Sequence, residues 1–133
     1  RYELEQGLFN NTIEVADLPS LWKQKMQMYL NVRVDSERNG VMQDVHWYAG
    51  LFGYFPAYAL GLVLAAQLYN KMQKQLPDMN QRLEQGDFST INAWLKQHIH
   101  QKASSESFDQ IVLQATGETL NTDAYLRFIE RSS

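Results

Sequence analysis

The chain has 133 residues, 44% hydrophobic and 20% charged. That is enough apolar mass for a packed core and too much for an intrinsically disordered segment. The net charge is −3, no basic run exceeds two residues and cysteine is absent; this excludes an electrostatic footprint for nucleic acid or anionic lipid, disulfides, thiolate nucleophiles and cysteine-bound zinc, and fits a reducing, cytoplasmic setting.

The opening RYELEQGLF reads as helix, with Tyr2, Leu4, Leu8 and Phe9 near a 3.6-residue period. No capping residue and no basic-then-apolar leader precede it, and the uncapped start predicts a segment cut from a longer protein. DLPSLWKQKMQMYL places Leu18, Leu21, Trp22, Met26, Tyr29 and Leu30 on one face, with Asp17 or Ser20 as cap and Pro19 in the first turn. NVRVDSERNG is polar, and its Asn39-Gly40 pair predicts a turn.

From Trp47 to Tyr69 no residue is charged, a length that meets the roughly 20 residues a bilayer requires. Gly50, Gly53 and Pro56 break its first third, Gln67 interrupts the rest, and no Lys or Arg flanks it closely. The reading is therefore a buried helix, opened by Pro56 and ending near Gln75, with no membrane partner. Its span Ala57–Tyr69 is apolar on nearly every face, so protein must surround it, and it is expected to be the most buried helix of the intact parent; in this segment alone part of its surface is expected to be exposed or covered by a second copy.

PDMNQRLEQG predicts a short helix stopped by Gly86, and DFSTINAWLKQHIHQ a helix with Phe88, Ile91, Trp94, Leu95 and Ile99 on one stripe. Ser107 and Gln110 form a capping box for a helix that Gly117 stops. Asn121 or Thr122 caps a last helix, with Tyr125, Phe128 and Ile129 expected inward. No period-2 strand and no repeat occurs. The fold class is all-α: about six or seven helices, short connections and no internal boundary from 1 to 133.

Local chemistry is sparse. A zinc site needs three or four converging ligands, and the spacing H-E-x-x-H is absent. His98 and His100 point about 200° apart on a helix and read as ordinary helix residues. No phosphate loop and no nucleophile motif is present. One stretch stands apart: GVMQDVHWYAGLFGYFPAY, Gly40 to Tyr58, crowded with aromatics and glycines around one histidine. Gly40 permits close backbone approach, Gln43 offers donor and acceptor, Asp44 accepts, and His46 can donate to an oxyanion or take up a proton. From these residues alone the stretch is either a buried polar turn or a functional site.

GVMQDVHW fits the pattern G-x-x-Q-D-x-H-W of the Taq-type zinc metallocarboxypeptidases. RYELEQGL, DLPSLWKQKM, GLFGYFPAYALG with AAQLY, and ATGETLN resemble further blocks of that family in the same order, so the resemblance covers essentially the whole chain. It implies the C-terminal portion of a longer, helical, usually homodimeric enzyme that takes single residues from peptide C-termini. The zinc, its ligands and the general-base glutamate of H-E-x-x-H would lie in the N-terminal part, leaving this chain inactive and metal-free alone.

The same resemblance assigns Gly40, Gln43, Asp44, His46 and Trp47 to one wall of the active-site groove. His46 would bind substrate or stabilise the oxyanion, and Asp44 would orient a histidine. Tyr54, Tyr58 and Arg1 are further candidates for substrate contact; the tyrosines read equally as packed aromatics, and Arg1 as a structural ion pair. The chain departs from the pattern at Ala57, where threonine is common, at Tyr48-Ala49, where a small pair is common, and in ending Arg131-Ser132-Ser133. The competing reading is a helical interaction module that keeps the fold without catalysis.

Overall fold

A computed structural model of the chain describes residues 1–102 and 105–132. They are helical, with no strand among them, and the chain divides into two units, Arg1–Tyr58 and Ala59–Ser133.

In the first unit, α1 (Tyr2–Phe9) and α2 (Leu18–Leu30) close a core of Leu4, Leu18 and Trp22, with Leu8, Ile13, Leu21, Met26, Val34, Val41 and Trp47 packed around it. The apolar stripe expected on α1 is only partly inward. Tyr2 and Phe9 are exposed, and the buried partner of Leu4 is the carboxylate residue Glu5. On α2, Leu18 and Trp22 are buried while Tyr29 and Leu30 at its far end are exposed.

Asp17 stands at the N-cap of α2 but does not cap it. Its Oδ2 instead accepts from Glu14 N at 3.0 Å, closing the preceding 3-10 turn Val15–Asp17. Asn31, left-handed at φ 53°, ends α2. Two further 3-10 turns, Glu37–Asn39 and Val41–Gln43, flank Gly40. Gly40 is demanded by space: a Cβ there would lie 2.9 Å from Val34 Cγ1 and 3.2 Å from the Ser36 carbonyl. One more helix then occurs than expected, the single turn α3 (Val45–Tyr48), too short to carry a periodic signal.

In the second unit, the long helix α4 (Pro56–Gln75) begins at the expected proline. Its Leu68 and Met72 join Met79 of α5 (Met79–Glu84), Trp94 of α6 (Ser89–Leu95) and Ala115 of α7 (Phe108–Thr116) in the core. Gly86 and Gly117, both left-handed, follow α5 and α7, and Ser107 with Gln110 forms the capping box of α7. α6 runs on into a π-helical turn, Lys96–His100; His98 stacks on Trp94 with ring centroids 4.3 Å apart and places Nδ1 2.9 Å from the Trp94 carbonyl, while His100 is exposed.

The last helix, α8 (Asp123–Ser132), is capped by Asn121, whose Oδ1 accepts from Asp123 N at 3.1 Å. It buries Ala124. Phe128 and Ile129, expected inward, are 61% and 42% exposed.

In this chain alone α4 is covered on part of its surface, the exposure expected where its full enclosure belongs to the longer protein. Val63, Gln67, Leu68 and Met72 are buried, whereas Leu60 and Leu62 remain more than half exposed. Its buried Gln67 is fully bonded: Nε2 donates to the Thr119 carbonyl at 3.0 Å, and Oε1 accepts from Asn121 N at 3.3 Å. That pair latches the segment ATGETLN onto α4, as burial of an amide requires. No helix among the described residues is long and apolar enough to cross a membrane.

Candidate functional site

The stretch Gly40–Tyr58 folds around Asp44. Its Oδ1 caps α3, accepting from His46 N at 2.8 Å and Trp47 N at 3.0 Å. The side chain is 1% exposed, and its Oδ2 pairs with Arg1 Nε at 2.8 Å. A carboxylate taken so far from water needs partners: two backbone donors bond Oδ1, while Oδ2 keeps the Arg1 charge beside it without an aligned hydrogen bond. Arg1 is held in turn, its guanidinium 4.0 Å from the centre of the Phe55 ring and 5.5 Å from that of Trp22.

The turn delivers the His46 ring into an aromatic cage. Tyr54 stacks on it at 6.0 Å, and Phe55 and Tyr58 meet it edge-on at 5.4 and 5.7 Å. The side chain is 14% exposed. Nε2 lies 3.4 Å from the Tyr58 hydroxyl, at the long limit of a hydrogen bond. Nδ1 is buried without a hydrogen-bond partner, 3.7 Å from Asp44 Oδ1. Asp44 therefore orients the main chain that carries the histidine, not the ring itself. Aromatic packing fixes the ring plane; Nδ1 is unbonded and Nε2 is held only by the long contact to the Tyr58 hydroxyl.

Arg1, Asp44, His46, Tyr54 and Tyr58 thus come together, joined by Phe55. Three other expected residues stand apart. Gln43 is exposed, its amide donating to the Arg38 carbonyl at 2.5 Å. Gly40 is packed under Val34. Trp47 belongs to the core: it meets Trp22 edge-on at 6.0 Å, and its Nε1 donates to Glu5 Oε1 at 2.6 Å.

Glu5 is the residue that sequence reasoning missed. It is 4% exposed, and its second oxygen accepts from Gly53 N at 2.8 Å. Gly53 is left-handed at φ 72°, a conformation costly for any residue with a Cβ. One carboxylate of α1 therefore ties down both Trp47, next to His46, and the glycine turn leading to Tyr54. A charge in an amphipathic helix reads as solvated, and its two donors lie 42 and 48 residues away in sequence, so no local signal marks it.

Beside this cluster a cavity of about 460 Å3 opens between α1 and α2, sharing Arg1 and Phe55 with it and lined otherwise by Tyr2, Trp22, Met26 and Tyr29 among others. At its rim Glu3 accepts from Lys25 and from the Tyr29 hydroxyl, the latter at 2.8 Å. The ammonium, then the hydroxyl, hold the Glu3 carboxyl below its usual range, while Glu3 raises both Lys25 and Tyr29. The arrangement can hold an apolar group beside a guanidinium. No three His, Asp or Glu side chains among the described residues converge as a metal site would require.

Comparison with known proteins agrees with this architecture. The sequence profile of the Carboxypeptidase Taq (M32) metallopeptidase family matches residues 1–133. Carboxypeptidase 1 of Bacillus subtilis is 47% identical over 121 residues, which cover 91% of this chain and 24% of that protein. Thermostable carboxypeptidase 1 of Pyrococcus furiosus is 33% identical over 130 residues, 98% of this chain and 26% of that protein. The solved structure of Trypanosoma cruzi metallocarboxypeptidase 1 superposes with a TM-score of 0.93 at 40% identity, covering 98% of this chain and 28% of that one. The chain spans about a quarter of the length of the relatives it matches, and it belongs to the Taq-type (M32) metallocarboxypeptidase family.

Proposed function

We propose that this chain is the C-terminal part of a zinc-dependent metallocarboxypeptidase that releases amino acids one at a time from peptide C-termini, and that Gly40–Tyr58 forms one wall of its active-site groove. The observation that carries the reading is His46: a caged imidazole whose Nε2 is met only by the Tyr58 hydroxyl at 3.4 Å, delivered by an Asp44-capped turn, in a chain matched end to end by a metallocarboxypeptidase family.

Among the described residues no ligand set for a metal converges, so the zinc would be held by residues outside this chain, where it would supply Lewis-acid chemistry at the scissile carbonyl. This chain's part is electrostatic. His46 donates a hydrogen bond to the oxygen that gains charge at the scissile carbonyl. Asp44 and Arg1 fix the turn that carries it, and Tyr54 and Tyr58 set its plane and border the bound peptide. The exposed apolar side chains of α4, Leu60 and Leu62 among them, pack against the N-terminal part of the same enzyme, as a surface of this kind requires.

The test is mass spectrometry of peptides incubated with the full-length protein. Loss of successive C-terminal residues, abolished by chelation and restored by zinc, is the expected result. The 133-residue chain alone should hydrolyse nothing and retain no stoichiometric zinc. Cleavage from the N-terminus, or activity indifferent to chelation, would overturn the reading.

A further inference from the structure

The second unit carries a pocket that no sequence motif anticipates. It is a polar cavity of about 70 Å3 between α4 and the start of α8, lined by Asn70, Lys71, Lys74, Glu118, Asn121 and Arg127 among others. Three cations face one carboxylate there, in a chain of net charge −3. That carboxylate is partly engaged by a neighbouring lining residue: Glu118 accepts from Asn121 Nδ2 at 3.1 Å.

None of the three cations has an acidic partner among the described residues, whereas Arg1, Lys23, Lys25, Arg33 and Arg82 all do. Arg127 is the telling case. Asp123 lies four residues before it and Glu130 three after, spacings at which helical ion pairs form. It pairs with neither and lines the pocket instead. Lys71 reaches the end of α7. Its Nζ lies 3.7 Å from where a Gly117 Cβ would stand, beside a helix C-terminus whose carbonyl end favours a cation. The floor is rigid and already satisfied, since Gln67 and Thr116 are buried and bonded to each other and to the 118–121 segment.

We propose that this pocket binds a single phosphate-type oxyanion. The guanidinium of Arg127 matches two oxygens of a tetrahedral anion, and Lys71 and Lys74 add point charges. The small volume admits one such group and excludes a nucleotide. The proposal does not depend on the peptidase reading, because no residue of the His46 cluster takes part.

Inorganic phosphate titrated calorimetrically into the full-length, metal-stripped protein tests it, at constant ionic strength set with chloride. Saturable binding is expected, with a matching rise in melting temperature by mass action. Lys71→Gln and Arg127→Gln should each weaken binding about tenfold or more, the scale of one lost charge-assisted hydrogen bond. The exposed Lys74→Gln, which leaves packing untouched, should weaken it too, and Lys96→Gln on the π-helical turn should not. Absence of saturable binding, an equal response to acetate, or unchanged affinity in the Lys74 and Arg127 variants would overturn the proposal.

Discussion

Replacing Glu5 by glutamine probes how α1 organises the site. The wild-type carboxylate accepts from Trp47 Nε1 at 2.6 Å and from Gly53 N at 2.8 Å while 4% exposed. A carboxamide has one accepting end. Whichever way it turns, its NH2 faces one of the two N–H groups, leaving a buried donor unsatisfied, and the surviving bond loses its charge. The first effect costs about 1–3 kcal/mol and the second about 1 kcal/mol, so local stability should fall by about 2–4 kcal/mol. Hydrogen exchange read by mass spectrometry on the full-length protein is the assay. Amides of the segment from Val45 to Tyr54 should exchange at least about tenfold faster in Glu5→Gln. In a Trp47→Phe background the ring no longer donates, so the same change should cost less, with a coupling of about 1–2 kcal/mol. Unchanged exchange in that segment, or strict additivity in the cycle, would refute the clamp.

Gly40→Ala should lower stability by about 1–3 kcal/mol, because the new Cβ meets Val34 and a backbone carbonyl that cannot move aside alone; thermal unfolding reads it. Gln67→Leu should cost about 2–4 kcal/mol by the same assay, since it strands the Thr119 carbonyl and the Asn121 N–H. The Asp87 carboxyl is held at about 2 by hydrogen bonds from Ser89 and then by Arg82, against about 3.9 in an unfolded chain. Between those values the unfolded state binds the extra proton, so Asp87 contributes stability above about pH 4 that is lost as pH falls toward 2. Asp87→Asn should therefore melt below wild type at pH 5, with the gap closing near pH 2.

Elements with local causes were readable in the sequence. Pro56 opens α4, Ser107 and Gln110 cap α7, and Gly86 and Gly117 end their helices, each by a rule confined to a few residues. The gathering of Asp44, His46, Tyr54 and Tyr58 follows from a stretch of fifteen residues with two left-handed glycines, Gly50 and Gly53, turning it back on itself. What was not readable depends on distant partners. Glu5 is buried because Trp47 and Gly53 come to it, and Gln67 because the 119–121 segment does. Asp17 had two turns to serve and took the earlier one. α3 is one turn long, and Asp44 rather than periodicity makes it. The apolar faces of α4 and α8 are legible in the sequence, but pattern alone does not say what covers them.

His46 is where a catalytic and a structural role give opposite results. In the full-length protein, His46→Ala should lower kcat about 10²–10³-fold, the loss expected for one oxyanion donor. Metal content should be unchanged, since His46 is not proposed as a ligand, and the aromatic cage should keep the fold assembled. Measured on one preparation, a near-normal kcat with a lowered melting temperature would contradict the account and leave the Asp44-capped turn a structural one.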